Sequence, residues 1–156
     1  MILYRLLGCV LFISLLGLSS AQASPLEEAK AMVDEGEKLL AKAKSGRKSK
    51  RKELLIRGVG KYARAYLILT TGKPVEGATE MVAKVKAKVN ELSERPAIVA
   101  ARQTTRVKAI DAAAEGRLTD AYDLFARLRD MDPRDQTVEY ILGVIGQRMD
   151  SAQGNE

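Results

Sequence analysis

One short segment concentrates positive charge in this 156-residue chain. Residues 44–52 read Lys-Ser-Gly-Arg-Lys-Ser-Lys-Arg-Lys, so six of the nine are basic. Exposed ammonium and guanidinium groups at this density bind anions such as phospholipid headgroups, lipopolysaccharide phosphates or acidic glycans. The sequence therefore predicts an anion-binding segment, for which a solvated, flexible connection between two helices is the alternative. The candidate anion-binding residues are Lys44, Arg47, Lys48, Lys50, Arg51 and Lys52.

The charge of the whole chain is also unevenly distributed. Residues 24–110 carry 20 basic and 10 acidic side chains, whereas residues 111–156 carry 5 basic and 10 acidic ones. The two parts therefore have opposite net charges. Such a field can attract charged partners, but it does not define a fold.

The remaining residues offer little for catalysis. The chain has no His and no Trp, and its single Cys is Cys9. From residue 24 onward, this excludes histidine acid–base catalysis, cysteine nucleophiles, and metal sites built from nitrogen or sulfur ligands. No pair of carboxylates stands out as the acid and base of a glycosidase. We therefore expect a protein that is not an enzyme and that uses no cofactor and no metal.

Two short motifs match known binding sites only in part. Asp130, Asp132 and Asp135 could form a calcium cluster, but the loop glycine and closing glutamate of such a site are missing. Capping of a turn is the better interpretation of these acids. Gly58-Val59-Gly60 contains a Gly-x-Gly without the preceding strand that a phosphate-binding loop requires. Close packing of two helices is the better interpretation of these glycines.

The N-terminal residues predict export. Arg5 is the only charge among the first 26 residues, an apolar run covers residues 6–18, and small residues follow, ending in Ala21-Gln22-Ala23. These are the three parts of a secretory signal peptide. We predict a signal peptide over residues 1–23, with cleavage after Ala23 and a periplasmic or secreted product. The alternative is an uncleaved N-terminal membrane anchor. Cys9 precedes most of the apolar run, which argues against its lipidation.

Six helices would have to position the candidate residues. Apolar side chains recur at alternating steps of three and four residues, which is the spacing of one helical face. Pro25, Pro74 and Pro96 stand where helices can begin, and Ser24 with Glu27 forms a capping box. The predicted helical segments are residues 25–43, 51–69, 75–92, 96–115, 119–131 and 135–150, with a frayed tail at residues 151–156.

Short connections between these segments predict antiparallel hairpins within one all-α domain over residues 24–150. The join between the first two segments is the exception, because it contains the basic run. In the fourth segment, the predicted apolar side consists of Val99, Gln103, Val107, Ile110 and Ala114.

Small, aromatic and proline residues follow a defined spacing near the C-terminus. After Gly116, Ala121, Phe125, Leu128 and Pro133 keep the spacing of the second helix of the tetratricopeptide repeat, which this part of the chain resembles. Leu142-Gly143 matches the Leu-Gly of that family's first helix. The match covers about residues 102–146, with a weaker echo at residues 60–69. Segment four departs from the pattern, since it lacks the expected aromatic and Ala109 replaces the usual glycine.

The resemblance implies a right-handed array of helical hairpins that binds peptides or helices in a groove lined by the first helix of each repeat. The groove would contain Gln103, Arg106, Tyr140, Val144 and Gln147, with burial against the fifth segment as the alternative for Tyr140 and Val144. We therefore predict an exported adaptor or scaffold that binds another protein, for example in bacterial envelope assembly. A small helical bundle is the alternative fold, and binding of anionic envelope surfaces through residues 44–52 is the alternative function. Nucleic acid is not expected as a partner of an exported protein, and the sequence leaves the oligomeric state open.

Overall fold

The computed structural model describes residues 24–153 as six α-helices, with no strand in that range. They are α1 (Pro25–Ser45), α2 (Lys48–Thr70), α3 (Thr79–Ser93), α4 (Pro96–Ala114), α5 (Leu118–Met131) and α6 (Gln136–Gln153). The predicted all-α fold class is confirmed. Helix α6 continues through three residues that were predicted to be frayed. The predicted signal peptide over residues 1–23, with Cys9 and the cleavage site, lies outside the described residues, as do residues 154–156.

Local signals explain several helix boundaries. The hydroxyl of Ser24 accepts a hydrogen bond of 3.2 Å from the backbone N–H of Glu27, which confirms this half of the predicted capping box. Pro25 and Pro96 occupy the first position of α1 and α4, respectively. Helix α3 begins four residues later than predicted, because Gly77 has a φ of 71° and breaks the helical path there.

The join between α1 and α2 contains only Gly46 and Arg47, so the alternative of a flexible connection over residues 44–52 is wrong, although its basic residues are solvated as that alternative expected. The backbone N–H of Gly46 donates to the carbonyl oxygen of Lys42 at 2.8 Å. The Nε of Arg51 donates to the carbonyl oxygen of Gly46 at 2.7 Å. Because both sides of the turn are hydrogen-bonded, most of the basic run belongs to two ordered helix ends.

Helices α1 and α2 approach closely because glycines lie at their contact. A Cβ atom added to Gly36 would stand 2.9 Å from Cδ2 of Tyr62, and one added to Gly58 would stand 2.9 Å from Cδ2 of Leu40. This confirms close packing as the role of Gly58. Tyr62 itself is buried, and its hydroxyl donates to Oε1 of Glu37 at 3.4 Å. Burial, with the nearby charge of Glu37, raises the pKa of Tyr62 to about 12.

Helices α2 and α5 occupy the centre of the fold. Helix α2 packs on α1, α3 and α5, whereas α5 packs on α2, α4 and α6. Helices α4 and α6 both lie against α5 and make little contact with each other. The largest fully buried apolar side chains come from five of the helices: Val59, Tyr62, Val85, Val89, Leu92, Ile98, Leu128 and Val138. None of the helices within residues 24–153 is long and apolar enough to span a membrane.

Helix α4 buries a different side from the predicted one. Ile98, Ala101, Ala109 and Ala112 are buried. The predicted stripe is exposed instead, and it consists of Val99, Gln103, Val107, Ile110 and Ala114. Alanines allow a close approach between α4 and α5, but their small side chains carry little weight in a hydrophobic pattern. Apart from Ile98, the larger apolar residues of α4 (Val99, Val107 and Ile110) lie on the surface.

Candidate binding surfaces

Helices α4 and α6 both expose apolar side chains, and an ion pair links α4 to the start of α6. The guanidinium of Arg106 forms an ion pair with Asp135, which places the middle of α4 beside the start of α6. Since α5 connects the two helices through two hairpins, α4 and α6 run in the same direction. Ile110 follows Arg106 by one turn on α4, and Tyr140 stands in the second turn of α6. We define the apolar face as Val107, Ile110 and Tyr140, which are 60%, 54% and 73% exposed.

Most of the predicted groove residues are exposed. Gln103, Tyr140 and Gln147 are exposed, Val144 is half-buried, and Arg106 remains accessible while it pairs with Asp135. Val107 and Ile110 were missed as surface residues, because the apolar pattern assigned them to the core. Arg106 was predicted to lie in the groove, and Ile110 follows it by one helical turn on the same side of α4. The same reasoning would therefore have predicted that Ile110 is exposed.

Open space adjoins Tyr140 on α6. Gly143 is exposed, and a Cβ atom added there would meet no other atom within 4 Å. The surface of α6 beside Tyr140 is therefore open to a side chain of a partner.

The chain matches no known protein-family model, no curated protein and no solved structure. The likeness to the tetratricopeptide repeat therefore rests on the residues quoted above.

The three acids considered as a calcium cluster each bind arginine instead. The pairs are Asp130 with Arg64 at 3.2 Å, Asp132 with Arg134 at 2.9 Å and with Arg102 at 3.0 Å, and Asp135 with Arg106. Asp135 also accepts a hydrogen bond of 3.3 Å from the backbone N–H of Val138, which caps the first turn of α6 as predicted. Within residues 24–153, no group of three or more His, Cys, Asp or Glu side chains could hold a metal ion.

Arg134 ties the turn between α5 and α6 to the end of α3. Its Nη1 donates to Oδ1 of Asn90 at 2.7 Å, and its Nη2 donates to Oγ of Ser93 at 2.8 Å. Its Nε donates to Oδ1 of the buried Asp132 at 2.9 Å, and Arg102 of α4 contacts the other oxygen of that carboxylate. We call this network the Arg134 clasp. Burial acts to raise the pKa of Asp132, but the two arginines outweigh it and lower the pKa below its ordinary value.

A cleft of about 570 Å³ lies where α2, α4 and α5 meet. Arg57, Lys61, Arg64 and Arg127 line it, together with Glu53 and Asp130. Three of these four cations are already paired with acids: Arg57 contacts Glu53 at 3.9 Å, Lys61 contacts Glu35 at 2.6 Å and Arg64 contacts Asp130 at 3.2 Å. The cleft is therefore a weak candidate for binding an anion.

The basic run differs from this cleft because its charges are uncompensated. All six of its basic residues are exposed, and none forms an ion pair with a carboxylate in the part of the chain that the structure describes. Four of them, Lys44, Lys48, Arg51 and Lys52, line a pocket of about 360 Å³ that also includes Arg95. Arg47 and Lys50 are not part of its lining.

Proposed function

We propose that this chain is a non-enzymatic helical adaptor that binds another protein through the apolar face. The exposure of Val107, Ile110 and Tyr140 carries the proposal. Clustered large apolar side chains on a surface mark sites of protein association, and tyrosine is a frequent anchor there. Because Tyr140 is 73% exposed, packing within the fold does not account for it.

The occupant that fits this surface is an amphipathic helix of the partner. Such a helix presents apolar side chains at positions i, i+3, i+4 and i+7, and it lies in a groove between two helices. The space beside Gly143 would receive one of these side chains, while Gln103 and Gln147 offer hydrogen bonds at the border. Self-association is opposed by the net positive charge on each copy.

Residues 1–23 extend the proposal to an exported protein, periplasmic or secreted, because they have the pattern of a signal peptide. The likeness of residues 102–146 to the tetratricopeptide repeat supports the same mode of binding. In that family, the first helix of each repeat lines the groove. An accessory role in bacterial envelope assembly combines both features.

Replacing Tyr140 with alanine should weaken partner binding about tenfold or more while leaving the fold intact, since an anchor residue contributes at least about 2 kcal/mol. Because the side chain is exposed, the free energy of unfolding should change by less than about 0.5 kcal/mol. The partner is first isolated from the envelope fraction of the host at moderate salt. Its affinity for wild-type protein and for the variant is then measured by calorimetry, and stability is measured by urea denaturation.

Tyr122→Ala is the matched control, because Tyr122 is a partly exposed tyrosine on α5 that lies outside the apolar face. It should retain the wild-type affinity. Equal affinity of wild type and Tyr140→Ala would contradict the proposal. Light scattering that shows a dimer disrupted by Tyr140→Ala would instead identify a second copy as the occupant.

A second candidate function is binding to anionic envelope surfaces through residues 44–52. The absence of ion pairs at these six exposed cations, among the described residues, favours it. Attraction between exposed charges and an anionic surface weakens as salt is added, because ions screen it. Binding of this kind would therefore be lost at high salt, whereas binding through the apolar face would change little.

A further inference from the structure

We propose that Lys44, Lys48, Arg51, Lys52 and Arg95 form a discrete pocket for one phosphate group, carried by a molecule with an apolar portion. This inference rests on the second candidate function and gives that function a defined site. It differs from general attraction to a charged surface, because it assigns binding to five of the cations and excludes Arg47 and Lys50.

Three separate parts of the chain supply the cations of the pocket. Lys44 belongs to the last turn of α1, and Lys48, Arg51 and Lys52 belong to the first turns of α2. Arg95 lies between α3 and α4, more than 40 residues away in the sequence. No acidic residue lines the pocket. Its volume of about 360 Å³ falls within the range of small-ligand sites.

Two of the five side chains are held in place by other contacts. Arg51 donates from Nε to the carbonyl oxygen of Gly46, and Arg95 forms an ion pair with Glu91 at 2.5 Å. Each guanidinium has further N–H groups available for an anion, and its planar shape suits two oxygens of one phosphate. These two arginines are therefore ordered before the ligand arrives, which reduces the entropy lost on binding.

Positive charge accumulates at the start of α2, and a bound anion would reduce the repulsion between these charges. Its first turn contains no acidic residue, and no side chain caps it. The unpaired N–H groups of a helix N-terminus add partial positive charge to that of Lys48 and Arg51. Phosphate bound here would reduce this repulsion and should therefore stabilise the folded chain.

Apolar residues in the lining of the pocket indicate that the ligand also has an apolar part. Leu40, Ala43, Leu55 and Ala97 line the same pocket, so apolar surface lies directly beside the cations. A phosphate ester attached to an apolar group could contact both. A phospholipid headgroup in a membrane and a soluble phosphate compound share this chemistry.

Two pairs of substitutions separate the pocket from the rest of the basic run. Lys48→Gln with Lys52→Gln removes two charges from the pocket, and Arg47→Gln with Lys50→Gln removes two charges outside it. Arg95→Gln tests the distant member, with Lys86→Gln on the exposed part of α3 as its control. Binding of the purified chain is measured to vesicles of phosphatidylcholine containing phosphatidic acid, and to vesicles of phosphatidylcholine alone. Thermal unfolding is followed in inorganic phosphate and in sodium chloride of equal ionic strength.

We expect the pocket pair and Arg95→Gln each to reduce vesicle binding by about tenfold. The two controls should remain within about threefold of wild type. We also expect inorganic phosphate to raise the melting temperature of wild type above its value in chloride, and the pocket variants to lose that increase. Binding to vesicles without an effect of inorganic phosphate would identify a lipid headgroup as the source, and the reverse pattern would identify a soluble phosphate.

Equal losses in the pocket pair and the Arg47 and Lys50 pair, with no effect of Arg95→Gln, would overturn the pocket. The second candidate function would survive that result as a diffuse surface. If wild type bound neither probe, both the pocket and that function would fail.

Discussion

Replacing Asp132 with asparagine should lower the free energy of unfolding by about 2–3 kcal/mol at neutral pH. Removing one partner of a buried ion pair costs about 3–5 kcal/mol, and the partial exposure of both arginines reduces this loss. The side chain of Asp132 is 10% exposed, whereas those of Arg134 and Arg102 are 35% and 25% exposed. Asparagine keeps the size of the side chain but leaves both guanidinium groups without their carboxylate.

The effect of this substitution should depend on pH. Because the folded state lowers the pKa of Asp132, the charged carboxylate stabilises the fold at pH values above its ordinary pKa of 3.8. That contribution is lost as the pH falls through the lowered pKa. Urea denaturation at a series of pH values should show the gap between wild type and Asp132→Asn narrowing below about pH 4.

Asp120→Asn is the control for this experiment. Asp120 also pairs with an arginine, Arg117, but both side chains are at least half exposed. Exposed ion pairs contribute about 0–1 kcal/mol, so this variant should stay close to wild type. If the two variants lost the same stability at neutral pH, the Arg134 clasp would not have the role assigned to it.

Replacing Gly36 with alanine should lower the free energy of unfolding by about 1–2 kcal/mol, although alanine is the better helix former. The added methyl group would stand 2.9 Å from Tyr62 Cδ2 and 3.3 Å from the carbonyl oxygen of Gly58. Tyr62 is buried and cannot move away without disturbing the core. Overpacking of this kind costs about 1–3 kcal/mol, which exceeds the gain in helix propensity of about 1 kcal/mol.

Replacing Gly143 with alanine measures the gain in helix propensity without the steric cost. An alanine there meets no atom within 4 Å, so it should raise the free energy of unfolding by about 0.5–1 kcal/mol. Thermal or urea denaturation of both variants gives the comparison. If Gly36→Ala raised the free energy of unfolding by a similar amount, α1 and α2 would be able to move apart with little loss of stability, contrary to the expectation.

The number and order of the helices could be predicted because most of them bury one continuous stripe of large apolar side chains. Val85, Val89 and Leu92 of α3 follow this rule, and all three are buried. Helix α4 does not, since Ile98 and three alanines form its buried side, while Val99, Val107 and Ile110 remain exposed. The spacing of large apolar residues cannot identify a helix side that packs mainly through small residues such as alanine.

The candidate sites were predictable only where they are local in the sequence. The six cations of residues 44–52 stand together in the chain, and four of them line one pocket. Arg95 joins them only because the turn between α3 and α4 packs near the end of the first hairpin, and no local pattern reports such a contact. Likewise, the spacing of Asp132 and Arg134 gives no indication that Asn90 and Ser93 complete their network.

The Arg134 clasp also has a consequence for the rate of folding. Its hydrogen bonds join residues 41 and 44 positions apart, whereas the contacts between α1 and α2 near their turn form between neighbours. Contacts between near neighbours lose less chain entropy and form sooner. We therefore expect the clasp to form later than the contacts near the α1–α2 turn. Interactions that form after the transition state act mainly on the unfolding rate, so weakening the clasp is expected to speed unfolding more than it slows folding.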